Sequence, residues 1–133
     1  MTYSTRALII MILFISLLSC KSNKVALGHL EGVWLLSNNK ENGKLEYRRI
    51  ENEKAHFGSI LNISKDSTII DSYVMKCPNG TGKSEFLSEG TWNINEKSLL
   101  LTSTVPIDLE GQNFKIVQLN ASKFVLAKVE IKK

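Results

Sequence analysis

At 133 residues the chain fits one domain, and 43 % apolar residues are enough to build a core. The formal net charge of +4 comes from 17 basic and 13 acidic residues scattered along the chain, with Arg48-Arg49 and Lys132-Lys133 as the only basic doublets. Nucleic-acid binders gather basic charge on one face or helix, so this distribution excludes nucleic acid as a partner.

Met1 to Ser19 read as an export signal. Arg6 supplies a positive start, and Ala7 to Leu18 is an almost unbroken apolar run. Twelve helical residues reach roughly 18 Å against a bilayer core of about 30 Å, so the run is too short to span. Leu17-Leu18-Ser19-Cys20 closes it and resembles the bacterial lipobox, in which the cysteine is diacylated and becomes the new N-terminus. The resemblance implies a Cys20 carrying palmitate-like acyl chains, a stable anchor at ~0.8 kcal/mol per buried CH₂. It also implies a cell-envelope location, at an outer membrane and facing the periplasm, with the membrane as partner through the lipid. Processing removes Arg6 and no acid, lowering the charge from +4 to +3. Cys77 then has no cysteine to pair with. Residues 20–29 are read as lipidated cysteine and polar tether, and 30–133 as the folded domain.

From Leu30 on, short β-runs alternate with turn chemistry. Leu30 to Ser37 is followed by a polar turn around Asn42-Gly43, and Lys44 to Glu51 by a strand over Phe57 to Ile63. Ser64-Lys65-Asp66-Ser67 turns that strand into Thr68 to Met75. A Gly-rich loop, Cys77 to Ser84, leads to Glu85 to Ile94, and Asn95-Glu96-Lys97 turns the chain into Ser98 to Thr104. A loop holding Pro106 and Gly111 precedes Asn113 to Leu119, and Asn120 to Lys123 turns the chain into Phe124 to Ile131. In this last strand Val125, Ala127, Val129 and Ile131 are expected to face the core, with Lys128, Glu130 and Lys132 in water. No window carries helical apolar spacing. The pattern predicts an all-β fold, an eight-stranded antiparallel up-and-down β-barrel whose closure removes exposed edges.

Catalytic and cofactor signals are weak. Cys77 to Ser84 ends in Gly-Lys-Ser, but the first glycine of a phosphate loop is replaced by Cys77 and a strand follows where a helix is needed. His29 and His56 lack metal-site spacing, the carboxylates form no pair suited to acid–base work, and G-x-S-x-G is absent. No catalytic residue, metal or cofactor is nominated, and a non-enzymatic role is expected.

One pattern stands apart. Glu31-Gly32-Val33-Trp34 returns as Glu89-Gly90-Thr91-Trp92, 58 residues later. On a strand, a glycine two residues before a tryptophan shares its face and leaves room for close approach, while the indole N–H needs an acceptor. Gly32, Trp34, Gly90 and Trp92 are therefore read as matched barrel-closing elements.

Leu30-x-Gly32-x-Trp34 resembles the first-strand motif of lipocalins and related calycins. With Gly90-Thr91-Trp92-Asn93-Ile94, Leu99-Leu100-Leu101, Phe114-x-Ile116-x-x-Leu119 and Phe124-x-Leu126, the chain is similar to small lipocalin-like lipoproteins of bacterial envelopes, over roughly Leu30 to Val129. In lipocalins proper an arginine of the closing strand caps the first-strand tryptophan; here that strand offers only Lys128, Lys132 and Lys133. The resemblance implies a barrel that binds a small hydrophobic ligand at its mouth, with Tyr47, Phe57, Tyr73, Met75 and Phe114 as candidate lining. The rival reading is a protein-interaction module, an inhibitor or accessory subunit with a filled barrel, acting through loops 77–84 and 105–112. A cavity larger than about 300 Å³ separates the two.

Overall fold

A computed structural model of the protein describes residues 25–40, 43–52, 56–77 and 82–130. The signal segment, Cys20, the tether to Lys24, the centre of the Gly-rich loop (78–81) and Ile131 to Lys133 lie outside the described residues. A 3₁₀ turn, Leu27–His29, precedes eight strands: β1 Gly32–Lys40, β2 Lys44–Ile50, β3 Gly58–Ile63, β4 Thr68–Lys76, β5 Lys83–Asn95, β6 Leu100–Ile107, β7 Gly111–Leu119 and β8 Lys123–Lys128.

All neighbouring strands are antiparallel, and they close into a barrel in the order β1-β2-β8-β7-β6-β5-β4-β3. The eight-stranded antiparallel barrel is as expected. The strict up-and-down order is not kept at one connection, because β3 pairs with β1 while β2 pairs with β8. Both β2 and β3 run antiparallel to β1 and flank it, so these two consecutive strands are parallel and do not form a hairpin. Hairpin chemistry supports the other neighbours. In the β3–β4 turn, for example, the Asp66 carboxylate accepts the Thr68 N–H at 3.0 Å and is held below its usual pKa first by the Thr68 side chain and then by that N–H.

The side chains that face inward fill the barrel from its N-terminal end. Leu30, Trp34, Leu45, Tyr47, Leu61, Ile63, Ile69, Leu101, Phe114, Ile116, Leu119, Phe124 and Leu126 form one buried cluster, with Trp34 and Tyr47 flanking Phe124 at ring-centroid distances of 5.3 and 6.1 Å. An eight-stranded barrel is just wide enough for such filling. A smaller cluster of Leu35, Ile50, Ile60 and Val74 lies on the opposite, outer face of β1–β4. The core face of β8 differs from the expectation. Phe124 and Leu126, opposite Tyr47 and Leu45, point inward, because the bulkier pair fills the interior; Lys128 shares their parity at the strand's end and is half exposed. Val125 is also buried, on the other face.

The filled end is sealed by the chain's own start. The Ala26 N–H donates to the Leu119 carbonyl at 3.0 Å and Val25 bridges Leu119, so the barrel takes in the chain from Val25, five residues before the expected boundary. The other end, the mouth, carries the β1–β2, β4–β5 and β6–β7 turns and the end of β8.

Candidate functional site

The two Gly-x-Trp elements both face the filled end, and each glycine has a steric reason. A Cβ on Gly32 would lie 2.1 Å from Arg49 Nη1, and one on Gly90 2.3 Å from Thr104 Oγ1 and 2.9 Å from Val105 Cγ1. Trp34 donates its indole N–H to the Leu30 carbonyl at 2.9 Å, and Trp92 donates to that of Ser64 at 3.1 Å. The arginine absent from the closing strand is supplied by β2. The Arg49 guanidinium stacks 4.3 Å from the Trp34 ring centroid and donates to the carbonyls of Ala121 (2.7 Å), Glu31 (2.9 Å) and His29. This end carries a small recess of about 140 Å³ beside Leu30 and Trp92.

A larger cavity lies toward the mouth. β5 pairs with β6 only from Trp92↔Ser103 to Asn95↔Leu100, whereas with β4 it pairs from Thr91 back to Lys83. Past Trp92 the backbone ladder ends, although the Thr91 N–H still donates to Thr104 Oγ1 at 2.8 Å and Gly90 packs against Thr104 and Val105, so the β4–β5 ribbon parts from β6 beyond Gly90. A cavity of about 640 Å³ lies where they separate, between the ribbon, Ser59 of β3 and the β6–β7 turn. Its apolar wall is Tyr73, Phe86, Leu87 and Leu109. Three of these residues are more than half exposed: Phe86 63 %, Leu87 57 % and Leu109 94 %. Its polar part holds Asp71, Glu85, Ser88 and Asp108.

Asp71 and Asp108 join the two sides of the cleft. Asp71 lies opposite Leu61 and Ser88, on the inward face, and its Oδ2 accepts the Asp108 N–H at 3.1 Å. Burial pushes the Asp71 carboxyl up to about 6, with the Asp108 charge adding to the rise and that N–H opposing it. Asp108 is raised too, by burial first, against a hydrogen bond from Ser59. Asp71 Oδ1 and the Tyr47 hydroxyl are buried without a hydrogen-bond partner. Burial, then the charges of Asp108 and Asp71, push Tyr47 well above its usual value, so the phenol stays protonated on the core side of the two acids. The turn that presents Asp108 is strained. Asp108 (φ 49°) and Leu109 (φ 60°) both have positive φ, the signature of a type I′ turn, which favours Asn-Gly. A fully exposed leucine in that conformation is an outlier of the kind that gathers at binding sites.

Of the five residues nominated as lining, Tyr73 lies in the cavity wall. Tyr47 and Phe114 are fully buried in the core. Phe57 and Met75 are half exposed at the rim, Phe57 beneath the Lys83 ammonium at 5.0 Å from its ring centroid. Asp71, Phe86, Leu87, Asp108 and Leu109 were not nominated, though each leaves a trace in the sequence. Asp71 interrupts an inward apolar alternation between Ile69 and Tyr73, and Phe86-Leu87 is an apolar pair in an otherwise polar stretch. Cys77 is half-buried with a free thiol. Among the described residues no three His, Cys, Asp or Glu side chains converge as a metal site, and no helix is long and apolar enough to cross a membrane.

Comparison with known families gives one match, the model of a lipocalin-like domain, over residues 30–126. No curated protein and no solved structure matches the chain at a significant level. The match covers most of the barrel, from the residue whose carbonyl caps Trp34 to the last inward residue of β8. The chain belongs to the lipocalin-like domain family.

Proposed function

We propose that the protein is a non-enzymatic binding barrel that holds one small, largely apolar ligand at its mouth. The cavity of about 640 Å³ walled by Tyr73, Phe86, Leu87 and Leu109 carries this reading. Its volume falls in the range of small-molecule sites, roughly 300–1,000 Å³. A barrel filled to its rim and acting only through its loops would lack such a space, which favours the ligand reading over the interaction module. Titration with N-phenyl-1-naphthylamine, an uncharged apolar fluorophore, tests it. Saturable one-site enhancement is expected, weakened by about tenfold or more in Phe86→Asp, whose exposed position spares the fold. No saturable binding, or binding indifferent to Phe86→Asp, contradicts the reading.

We further propose that the chain is anchored through Cys20 in a bacterial envelope. The apolar run ending in Leu17-Leu18-Ser19-Cys20 supports this. Val25 sits on the filled end, and five residues extend at most about 18 Å, so an anchor there keeps that end near the membrane and turns the mouth away from it. Cys20→Ala is expected to move the protein from the membrane to the soluble fraction in fractionated cells; retention in the membrane contradicts the anchor.

A further inference from the structure

The mouth cavity is walled by aromatic and aliphatic groups, yet its charge is of one sign. Among the described residues Asp71, Glu85 and Asp108 line it and no basic residue does. Two lysines of the mouth end are engaged elsewhere: Lys83 sits over the Phe57 ring, and Lys128 reaches Glu110 at 4.0 Å. Two of the three acids lie in the partly enclosed part, where water screens them least. The Asp71 carboxylate has one oxygen held by the Asp108 N–H and the other buried without a partner. The fully buried Tyr47 hydroxyl, beside both acids, is likewise unpartnered. A carboxylate or phosphate headgroup entering this space would face like charge. A cation would relieve it, and the aromatic Tyr73 and Phe86 line the same cavity.

We infer that the cavity selects a positively charged amphiphile, an ammonium group on an aromatic or apolar body, with the ammonium between Asp71 and Asp108 and the body against Tyr73 and Phe86. This rests on the cavity being the binding site. Two features separate it from a fatty-acid site. The polar end of the ligand goes inward, toward the acids, and the body lies toward the exposed Phe86 and Leu109.

A matched series differing only in headgroup tests the inference: 4-phenylbutylammonium, 4-phenylbutanol and 4-phenylbutyrate, titrated by calorimetry into the full-length protein at pH 7.5. The ammonium is expected to bind about tenfold tighter than the alcohol, and the carboxylate more weakly than both. Asp71→Asn and Asp108→Asn, which keep shape, should each lower the ammonium's affinity more than the alcohol's and so shrink the ammonium-to-alcohol ratio several-fold. Equal binding of ammonium and alcohol, or tightest binding of the carboxylate, overturns the charge selection and leaves the apolar cavity as a site. Absence of binding by all three overturns both.

Discussion

Arg49 ties four segments together: it stacks on Trp34 of β1 and donates to the carbonyls of His29, Glu31 and Ala121. Gly32 makes room for it, at φ 142° and with a Cβ position 2.1 Å from Nη1. Arg49→Ala should destabilise the protein by about 2 kcal/mol, through lost cation–π contact and orphaned carbonyls. Gly32→Ala alone should also destabilise, but much less in the Arg49→Ala background, where only backbone strain remains. Denaturant unfolding of the double-mutant cycle reads this coupling, and additive effects would contradict the shared site. The glycine and tryptophan were legible in the sequence because they are local. Their arginine was not, because pairing across β1 and β2 brings it there from 15 residues away and from a strand other than the one expected. Asp71 makes the second residue-scale prediction. Its folded pKa of about 6 exceeds the unfolded value of about 3.9, so the folded state binds the proton more tightly. The sign follows: stability is highest below pH 4, falls as pH rises through about 4 to 6, and carries the full penalty above. Asp71→Asn should therefore gain about 1–2 kcal/mol over the native protein at pH 7.5, after allowance for solvent screening, with the gain fading below pH 4. Parallel stability–pH curves for the two proteins would contradict it.

At the scale of elements, strand existence was legible and strand adjacency only in part. Hairpins from β3 to β8 follow from their turns, whereas the 51–57 connection is short enough to look like another hairpin, yet β2 and β3 lie on opposite sides of β1. Pro106 suggested a loop, yet β6 continues through it to Ile107. The reason lies in pairing. β6 has already left β5 after Ser103, so proline's missing N–H interrupts no β5–β6 ladder there. The same parting opens the cavity, which is why its walls come from separate stretches that no local pattern links. The β6–β7 turn is held with Leu109 at φ 60° and 94 % exposed, a choice that packing does not explain. Leu109→Gly should raise stability by about 0.5–1 kcal/mol by removing the left-handed strain, offset in part by glycine's greater unfolded freedom. It should at the same time weaken binding of an apolar ligand several-fold. Thermal unfolding with a ligand titration checks both; loss of stability would show that Leu109 serves the fold rather than the cavity.

The whole molecule divides along the barrel axis. One end is packed solid, capped by Val25 to Leu30 and locked by Arg49; the other is splayed, apolar at its lip and acidic within. Stability is concentrated at the end capped by Val25 to Leu30, and the cost of two part-buried acids and a strained turn is borne at the mouth, the distribution expected of a binding site. Amide NMR of the protein titrated with 4-phenylbutanol shows whether the mouth cavity takes the ligand. A ligand seated there gives saturable shifts confined to Ser59, Asp71 to Tyr73, Phe86 to Ser88 and Asp108 to Leu109. Shifts centred instead on the outer cluster of Leu35, Ile50, Ile60 and Val74, or none on saturation, would contradict this placement.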